Sequence, residues 1–377
     1  MRITNVEAFP VWGGSRNFLF VVVDTDEGIS GVGEAGLTGR ELAVAGVVEH
    51  LKPHLIGQDA NRIEHLWQVM SRGGFFPAGK IAGSALSAID IALWDIQGKA
   101  RNVPVYQLLG GLVRDKVVCY PHNVGGSVEA LVDSCRQTVA EGWKFVRWGL
   151  PQQGDVIEPG PAVRTALKQF AAVREAVGDE VEICFDVHTR LDPPDAIRLC
   201  REVERFHPFF VEDPVRSENP ATFRLLRRQI PVPLAAGEQF CSKWEFRELI
   251  EADLIDYARV DLCIAGGISE AKKIAGWCET HYIRLAVHNP LGPVSTAACL
   301  HVNLACSNFG VQEQPRRPGT TLTDVVPVQV DWEDGYLLPP KRPGLGIEFD
   351  RDAARKHPFQ MRGLPQVRRL DGSVTNW

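Results

Sequence analysis

The chain has 377 residues, of which 45% are hydrophobic and 23% are charged, and this ordinary globular composition excludes a disordered or fibrous protein. Its formal net charge of −6 is too small to indicate nucleic acid or a membrane surface as a partner, whereas a small acidic substrate would need local positive charge. The length accommodates one parallel barrel with roughly a hundred residues to spare, so we expect two domains.

Neither the N-terminal residues nor the cysteines indicate export or a membrane anchor. The first six residues lack the basic and then apolar pattern of a signal peptide, and the longest apolar runs are shorter than a membrane span. Nine cysteines occur without the paired spacing of a zinc site or redox motif, which indicates buried, reduced thiols. We therefore expect a soluble, cytoplasmic protein.

The first 115 residues predict an α+β domain. An antiparallel hairpin is predicted from apolar runs at 18–23 and 29–34, which flank a turn at 24–28. Helical periodicity follows at 41–51, 62–70 and 84–98. Strands followed by helices are typical of an α+β arrangement.

A glycine pattern inside this hairpin resembles a nucleotide-binding fingerprint. The residues Gly31-Val-Gly-Glu-Ala-Gly36 fit G-x-G-x-x-G, but they lie in the second predicted strand and not in a turn that opens a helix. We therefore expect close approach of two backbones here, and no nucleotide.

From residue 116 onward, short apolar runs alternate with amphipathic helical segments, which predicts a parallel sheet. The runs lie at 116–120, 143–147, 181–186, 208–212, 232–238, 258–261 and 284–288. A segment rich in proline and glycine begins near residue 323 and is expected to pack on the N-terminal domain. The predicted domains are therefore 1–115 joined by 324–377, and a barrel over 116–323.

Acidic and histidine side chains end six of the predicted strands. These residues, each 23 to 27 positions from the next, are Asp186, Glu212, Glu238, Asp261, His288 and Glu313. One strand, one helix and two short loops fill such a gap, so each gap indicates one βα unit. In a closed parallel barrel all six side chains would meet at the C-terminal mouth, where barrel enzymes hold their sites.

Three of the six are carboxylates on consecutive strands. Asp186, Glu212 and Glu238 offer hard oxygen ligands, which favour Mg²⁺ over a softer metal. A single acid at a strand end, such as Asp213, is more often a helix cap or a salt-bridge partner. Three such acids would repel one another without a cation, so we expect a magnesium site.

The other polar residues at the mouth predict proton transfer. Asp261 would fix the tautomer of His288 and raise its basicity, which gives a base that removes a proton α to a carboxylate. His188 would then protonate a departing β-hydroxyl, and Glu313, if protonated, would hydrogen-bond the developing enediolate. Arg147 would add positive charge or hold a neighbouring carboxylate. The expected reaction is a dehydration.

Ten motifs spread over nearly the whole chain carry a family resemblance. They are TDEG at 25–28, LIGQD at 55–59, ALWDIQGK at 92–99, LGGLVRD at 109–115, DVHTR at 186–190, VEDP at 211–214, LAAGE at 234–238, AGGI at 265–268, HNPLGP at 288–293 and VQE at 311–313. Together they resemble the enolase superfamily, mandelate racemase subgroup. Within it the chain is similar to the acid-sugar dehydratases, the D-galactonate dehydratases in particular.

The resemblance implies a modified TIM barrel, (β/α)7β, with an N-terminal α+β capping domain whose loops close over the substrate. It implies the magnesium ligands and the proton-transfer roles described above, a small acid-sugar substrate with D-galactonate as the first candidate, and a homo-oligomer. The expected substrate-binding residues are Arg147 and His122 in the barrel and Arg16, Phe75 and Phe76 on the capping loops. A histidine at this place, His122 after the first barrel strand, is a feature that resembles the mannonate dehydratases instead.

The sequence departs from the D-galactonate dehydratase pattern at three places. Arg147 stands where many relatives have lysine, Asn289 follows the expected base where cysteine is usual, and residues 150–161 form an unusual insert. Two other functions remain open at this point. One is racemisation or epimerisation of a 2-hydroxy acid, with His188 or Arg147 as the second base. The other is a catalytically silent barrel with a binding role.

Overall fold

A computed structural model of the chain describes residues 1–376. The N-terminal domain has a three-stranded antiparallel sheet in the order β1-β2-β3, covered by three helices. The elements are β1 (Ile3–Trp12), β2 (Asn17–Thr25), β3 (Ser30–Ala35), α1 (Glu41–Leu55), α2 (Ile63–Arg72) and α3 (Lys80–Ala100). The predicted hairpin is the β2–β3 pair, and the three predicted helices are confirmed with longer bounds. The strand β1 was not predicted.

The next segment alternates strands with helices. After the short helix α4 (Val105–Leu108), the strands are β4 (Val117–Tyr120), β5 (Phe145–Gly149), β6 (Glu182–Asp186), β7 (Phe210–Glu212), β8 (Leu234–Ala236), β9 (Tyr257–Ala258), β10 (Arg284–Val287) and β11 (Phe309–Glu313). The helices between them are α5 (Val128–Ala140), α6 (Pro159–Val177), α7 (Pro193–Val203), α8 (Thr222–Arg227), α9 (Lys243–Glu251), α10 (Gly267–Thr280) and α11 (Pro293–Leu304), with a 3-10 turn at Glu204–Phe206.

These eight strands form the predicted modified barrel. Consecutive strands from β5 to β11 pair in parallel, and β11 pairs in parallel with β4. The circle closes where the Asn123 backbone N–H, just after β4, donates to the Arg147 carbonyl of β5 at 2.7 Å. Seven helices separate eight strands, which confirms the (β/α)7β expectation.

The barrel interior is filled by one apolar side chain from each strand. This apolar ring consists of Tyr120, Phe145, Cys184, Phe210, Ala235, Tyr257, Ala286 and Val311. All eight side chains are buried, so the barrel is a packed core and not a channel. The ring forms the floor on which the functional residues stand.

The C-terminal segment contacts both domains. It contains β12 (Trp332–Glu333), β13 (Tyr336–Leu337), α12 (Arg351–Arg355), β14 (Val367–Arg368) and β15 (Val374–Thr375). The strand β13 pairs with β4, and the α12 residue Arg351 forms an ion pair with Asp24 in the N-terminal domain. Further on, Arg368 exchanges backbone hydrogen bonds with the 150–161 insert, donating to the Asp155 carbonyl at 2.7 Å. The insert is thereby held by the C-terminal segment.

All nine cysteines lie within residues 1–376, and none forms a disulfide bond. Eight are buried, and Cys241 is half-buried. Burial raises the pKa of the Cys241 thiol to about 12. Among residues 1–376, no helix combines the length and the apolar character that a membrane crossing requires.

Candidate active site

Polar side chains stand directly above the apolar ring on seven of the eight strands. They occupy the position two residues after each ring member, and they are His122, Arg147, Asp186, Glu212, Arg259, His288 and Glu313. Alternate residues of a strand face the same side, so this charged ring points into the barrel mouth. On β8 the equivalent residue is Gly237, which has a φ of 124° and no room for a Cβ, and the carboxylate follows at Glu238.

A cavity of about 680 Å³ opens above the charged ring, and its walls come from both domains. Arg16, His122 and Arg147 line it, as predicted for substrate neighbours, and Lys80 lines it as well. Phe75 and Phe76 do not line it. Their side chains are 90% and 83% exposed, and their rings contact each other with centroids 5.1 Å apart.

His288 and Asp261 form a hydrogen-bonded pair at this mouth. His288 Nδ1 lies 2.8 Å from Asp261 Oδ2, which leaves Nε2 directed toward Glu238 Oε2 at 3.4 Å. Burial by itself lowers the pKa of His288, but the charges of Glu238, Glu313 and Asp261 raise it to about 9. A carboxylate behind one ring nitrogen orients the imidazole as a base requires.

His188 lies on the other side of Glu238. Its Nε2 is 3.8 Å from Glu238 Oε1, and its backbone N–H donates to Asp186 Oδ1 at 2.6 Å. The residue has a left-handed φ of 56°, a strained conformation that is held by its surroundings. The two predicted histidines therefore flank one carboxylate of the cluster.

The carboxylates are close together, but their grouping differs from the predicted one. Glu212, Asp213 and Glu238 are buried, and each offers an oxygen within 4.8 Å of the others. Asp213 thus lies in the cluster, where a helix cap or salt-bridge partner was expected. Asp186 sits beside this group, where it forms an ion pair with Arg147. Arg147 therefore contacts a neighbouring carboxylate, as one of its two predicted roles requires.

The cluster has the properties of a site for a hard divalent cation. Glu212 Oε2 and Asp213 Oδ2 are buried with no hydrogen-bond partner among the described residues. Burial raises the pKa of Glu238 to about 7 and that of Glu212 well above its usual value. Unpartnered carboxylate oxygens at this spacing suit Mg²⁺, which prefers oxygen ligands.

Arg259 is a site residue that the sequence analysis missed. Its guanidinium is fully buried, forms ion pairs with Glu212 and Glu313, and donates to the Ala286 carbonyl at 2.7 Å. Although burial lowers its pKa, the two carboxylates raise it well above the usual value. A charged residue in the apolar strand pattern, two positions after Tyr257, was the available signal.

Glu313 accepts hydrogen bonds in this arrangement. His122 Nε2 lies 2.5 Å from Glu313 Oε1, and the Asn289 backbone N–H donates to Oε2 at 3.1 Å. Burial raises the pKa of Glu313, but Arg259, His288 and His122 bring it well below its usual range. The protonated form that the sequence analysis required for a donor role is therefore disfavoured here. His122 remains neutral, because burial and Arg147 lower its pKa to about 4.

Comparisons with known proteins agree with this architecture over nearly the whole chain. The family model "Mandelate racemase / muconate lactonizing enzyme, N-terminal domain" matches residues 13–110, and the model "Enolase C-terminal domain-like" matches residues 130–353. A D-mannonate dehydratase from Caulobacter sp. (strain K31) is 41% identical, and the match covers 96% of each chain. A D-galactonate dehydratase family member from Halomonas elongata is 39% identical, again with 96% of each chain covered.

Among solved structures, an enolase from Pantoea ananatis with bound D-gluconate and Mg superposes with a TM-score of 0.94. The two sequences are 33% identical, and the superposition covers 100% of this chain and 99% of that one. The resemblance inferred from the ten motifs is confirmed, as is the fold that it implied.

Proposed function

The chain belongs to the mandelate racemase/muconate lactonizing enzyme family, within the enolase superfamily, and we propose that it is a Mg²⁺-dependent acid-sugar dehydratase. Such an enzyme is a carbon–oxygen lyase that converts an aldonate to a 2-keto-3-deoxy acid. The observation that carries the proposal is the His288–Asp261 pair, which faces a buried carboxylate cluster beneath a cavity of about 680 Å³. Relatives with dehydratase names over 96% of the chain support it.

We assign the metal to Asp186, Glu212 and Glu238, with Asp213 adjacent to it. When bound, Mg²⁺ would offset the charge of these carboxylates and acidify the proton α to the substrate carboxylate. The unpartnered oxygen of Glu212 supports this assignment, and the unpartnered oxygen of Asp213 belongs to the same cluster. Arg147 would hold Asp186 in place and contribute positive charge to the same wall of the cavity.

His288 Nε2 would take the α-proton in its neutral form, which a cation bound by Glu238 would favour because the charge of Glu238 helps to raise the pKa of the imidazole. Asp261, 2.8 Å from Nδ1, would stabilise the imidazolium that forms and keep the ring oriented. The negative charge that develops on the substrate carboxylate would lie near two cationic side chains, Arg147 and Lys80, that line the cavity. Glu313, fixed by Arg259, would orient His122 toward the same region.

His188 would supply the proton for the leaving group. Its position across Glu238 from His288 allows the two histidines to act at neighbouring carbons of one substrate. As the bond from C3 to its hydroxyl oxygen breaks, the electron pair of the broken C2–H bond forms the C2–C3 double bond, and water departs. The enol product then tautomerises to the 2-keto-3-deoxy acid.

D-galactonate and D-mannonate are the two substrates to test first, with D-galactonate the leading candidate from the sequence. These acids differ in configuration at C2 and C4, so the polar groups that line the cavity must discriminate between them. The experiment is to incubate the protein and Mg²⁺ with each acid in parallel and to measure 2-keto acid formation by semicarbazide absorbance. NMR spectra of the products distinguish the C4 epimers. Absence of a 2-keto acid from a panel of all the common aldonates would contradict the proposal.

One observation favours a second candidate function. Because His188 and His288 flank Glu238 on opposite sides, they also have the disposition of two bases that exchange a proton across one carbon. A racemase or epimerase would return an acid of unchanged composition with deuterium at C2 in D₂O. Loss of water gives a keto acid, so one NMR spectrum separates the two reactions.

A further inference from the structure

The glycine pattern that resembles a nucleotide fingerprint joins the N-terminal domain to the barrel. A Cβ at Gly31 would lie 2.0 Å from the Ala92 carbonyl oxygen, and one at Gly33 would lie 1.9 Å from the Ala88 carbonyl oxygen. Both positions therefore require glycine so that β3 can lie against α3. A Cβ at Gly36 would lie 2.4 Å from Ile264, in the barrel loop that follows Asp261.

The end of β3 contacts the loop that carries Asp261. The Gly36 backbone N–H donates to the Cys263 carbonyl at 3.0 Å, and the Cys263 N–H donates to Asp261 Oδ1 at 2.7 Å. The other oxygen of Asp261 is the one that pairs with His288. A continuous series of hydrogen bonds therefore runs from the N-terminal domain to the imidazole.

Glu34, two residues earlier, contacts the loop that follows His288. Its carboxylate accepts from the Gly292 N–H at 2.7 Å and from the Ser295 N–H at 2.9 Å. These are free backbone donors at the start of α11, where a negative charge is favourable. A Cβ at Gly292 would lie 2.7 Å from Glu34 Oε1, so the loop and the carboxylate fit closely. Arg16 also donates to the Pro290 carbonyl at 2.8 Å.

A second buried carboxylate does the same for the preceding helix. Asp90, on α3, accepts from the Ser269 N–H at 3.0 Å near the start of α10, the helix that follows Asp261. Ser87 accepts from the Gly266 N–H at 2.8 Å in the same loop. Glu34 and Asp90 are both fully buried, and each caps a barrel helix across the domain boundary.

We propose that Glu34 is a positioning residue for the His288–Asp261 pair, and that Asp90 supports it from the neighbouring loop. The two carboxylates fix the loops on either side of the pair, and so fix the direction in which His288 Nε2 points. The proposal rests on the proposed function for its kinetic test. It assigns the G-x-G-x-x-G segment to the assembly of the active site.

The kinetic test is Glu34→Gln, which keeps the shape of the side chain but replaces one accepting oxygen with a donor. Displacement of a reacting group by less than 1 Å lowers rates by up to about 10²-fold. We expect kcat to fall about 10- to 100-fold while KM changes less than about threefold, because Glu34 does not line the cavity. Asp90→Asn should give a smaller fall, since Ser87 still holds its loop.

Asp95→Asn is the matched control. Asp95 is also a buried carboxylate of α3, but it accepts from the N–H groups of Val32 and Leu345, away from both loops. Its kcat should stay within about twofold of the wild-type value. Gly292→Ala, which crowds Glu34 from the opposite side, should reproduce the Glu34→Gln effect, and the two changes together should be non-additive.

A measurement without substrate separates this inference from the proposed function. In protein labelled with ¹⁵N-histidine, the His288 ring resonances at one pH should shift in Glu34→Gln and not in Asp95→Asn. If the wild-type protein turns over no acid sugar but the resonances shift, the proposed function fails and the positioning role stands. If Glu34→Gln and Asp95→Asn have equal kcat and equal His288 resonances, the positioning role is wrong.

Discussion

The floor and the mouth of the barrel are built from the same strands and have opposite character. The floor is the apolar ring, in which each strand contributes one buried and largely apolar side chain. The mouth, two residues further along, is the charged ring, in which buried carboxylates and Arg259 lie beside the half-buried His122, Arg147 and His288. Ordinary packing stabilises the floor, whereas the mouth depends on a balance of charges that one missing partner would upset.

The largest effect should follow from a change at the mouth that leaves the floor intact. We expect His288→Asn to lower the rate of dehydration and of α-proton exchange in D₂O by about 10³-fold or more, because the proposed base is lost. Turnover assays and NMR of recovered substrate would measure this. Thermal unfolding like that of the wild type is the control, and α-proton exchange at the wild-type rate would exclude His288 as the base.

The comparison of the two rings can be tested directly by stability measurements. We expect Arg259→Leu to reduce the free energy of unfolding by about 3–5 kcal/mol, because Glu212 and Glu313 would remain buried without their cation. Phe210→Leu, in the floor, should lower it by only about 1–2 kcal/mol, since a smaller apolar side chain replaces another. Urea denaturation of both variants provides the test. A loss of equal size in the two variants would contradict the contrast drawn between the rings.

Glu34, at the boundary between the two domains, is another buried carboxylate whose charge should affect stability. Burial raises its pKa to about 7, although the Ser295 and Gly292 N–H groups act against this. A carboxyl whose pKa is higher in the folded than in the unfolded chain stabilises the folded chain while it is protonated. This contribution is complete below the unfolded pKa and is lost as the pH rises through about 7. The free energy of unfolding of Glu34→Gln, relative to that of the wild type, should therefore rise by up to about 3 kcal/mol from pH 5 to pH 8. Urea denaturation of both proteins at the two pH values measures this difference. If the difference between variant and wild type is the same at pH 5 and pH 8, Glu34 does not make stability depend on pH.

A bound cation should relieve the repulsion at the mouth and stabilise the folded chain. Mg²⁺ at about 100 times its Kd is expected to add about 2.7 kcal/mol to the free energy of unfolding. Differential scanning calorimetry with and without Mg²⁺ would detect the rise in Tm. Glu238→Gln should abolish the increase, whereas Asp95→Asn should keep it. A rise that persists in Glu238→Gln would show that the cation binds elsewhere.

The sequence predicted the barrel and much of its mouth for one physical reason. Strand ends repeat at the length of a βα unit, so the sequence alone places Asp186, Glu212, Glu238, His288 and Glu313 together. Their assignments as metal ligands and proton carriers remain proposals.

Other features depend on contacts that spacing does not encode. The spacing of terminal acids does not reveal Arg259, because the acid that ends this strand is Asp261, whereas alternation from Tyr257 places Arg259 in the mouth. Glu34 was missed because its partners lie more than 250 residues away in the sequence. Asp213 enters the cluster through a left-handed φ of 37°, which no side-chain pattern reveals.

Loop positions were the least predictable. Phe75 and Phe76 were expected beside the substrate because the resemblance places them on a capping loop, and in this structure, which holds no substrate, they are exposed outside the cavity. The sequence of a short surface loop does little to fix the direction of its side chains, because few buried contacts hold the loop in place.

The buried cysteines give the chain an internal reporter of global opening. Eight thiols are enclosed by the folded protein, and the ninth, Cys241, is half-buried with a pKa of about 12, so little reactive thiolate is available in the native state. An alkylating reagent should therefore modify the chain only as fast as it opens. Mass spectrometry of such adducts would time that opening for wild type and variants alike, with no need for a chromophore or a known substrate.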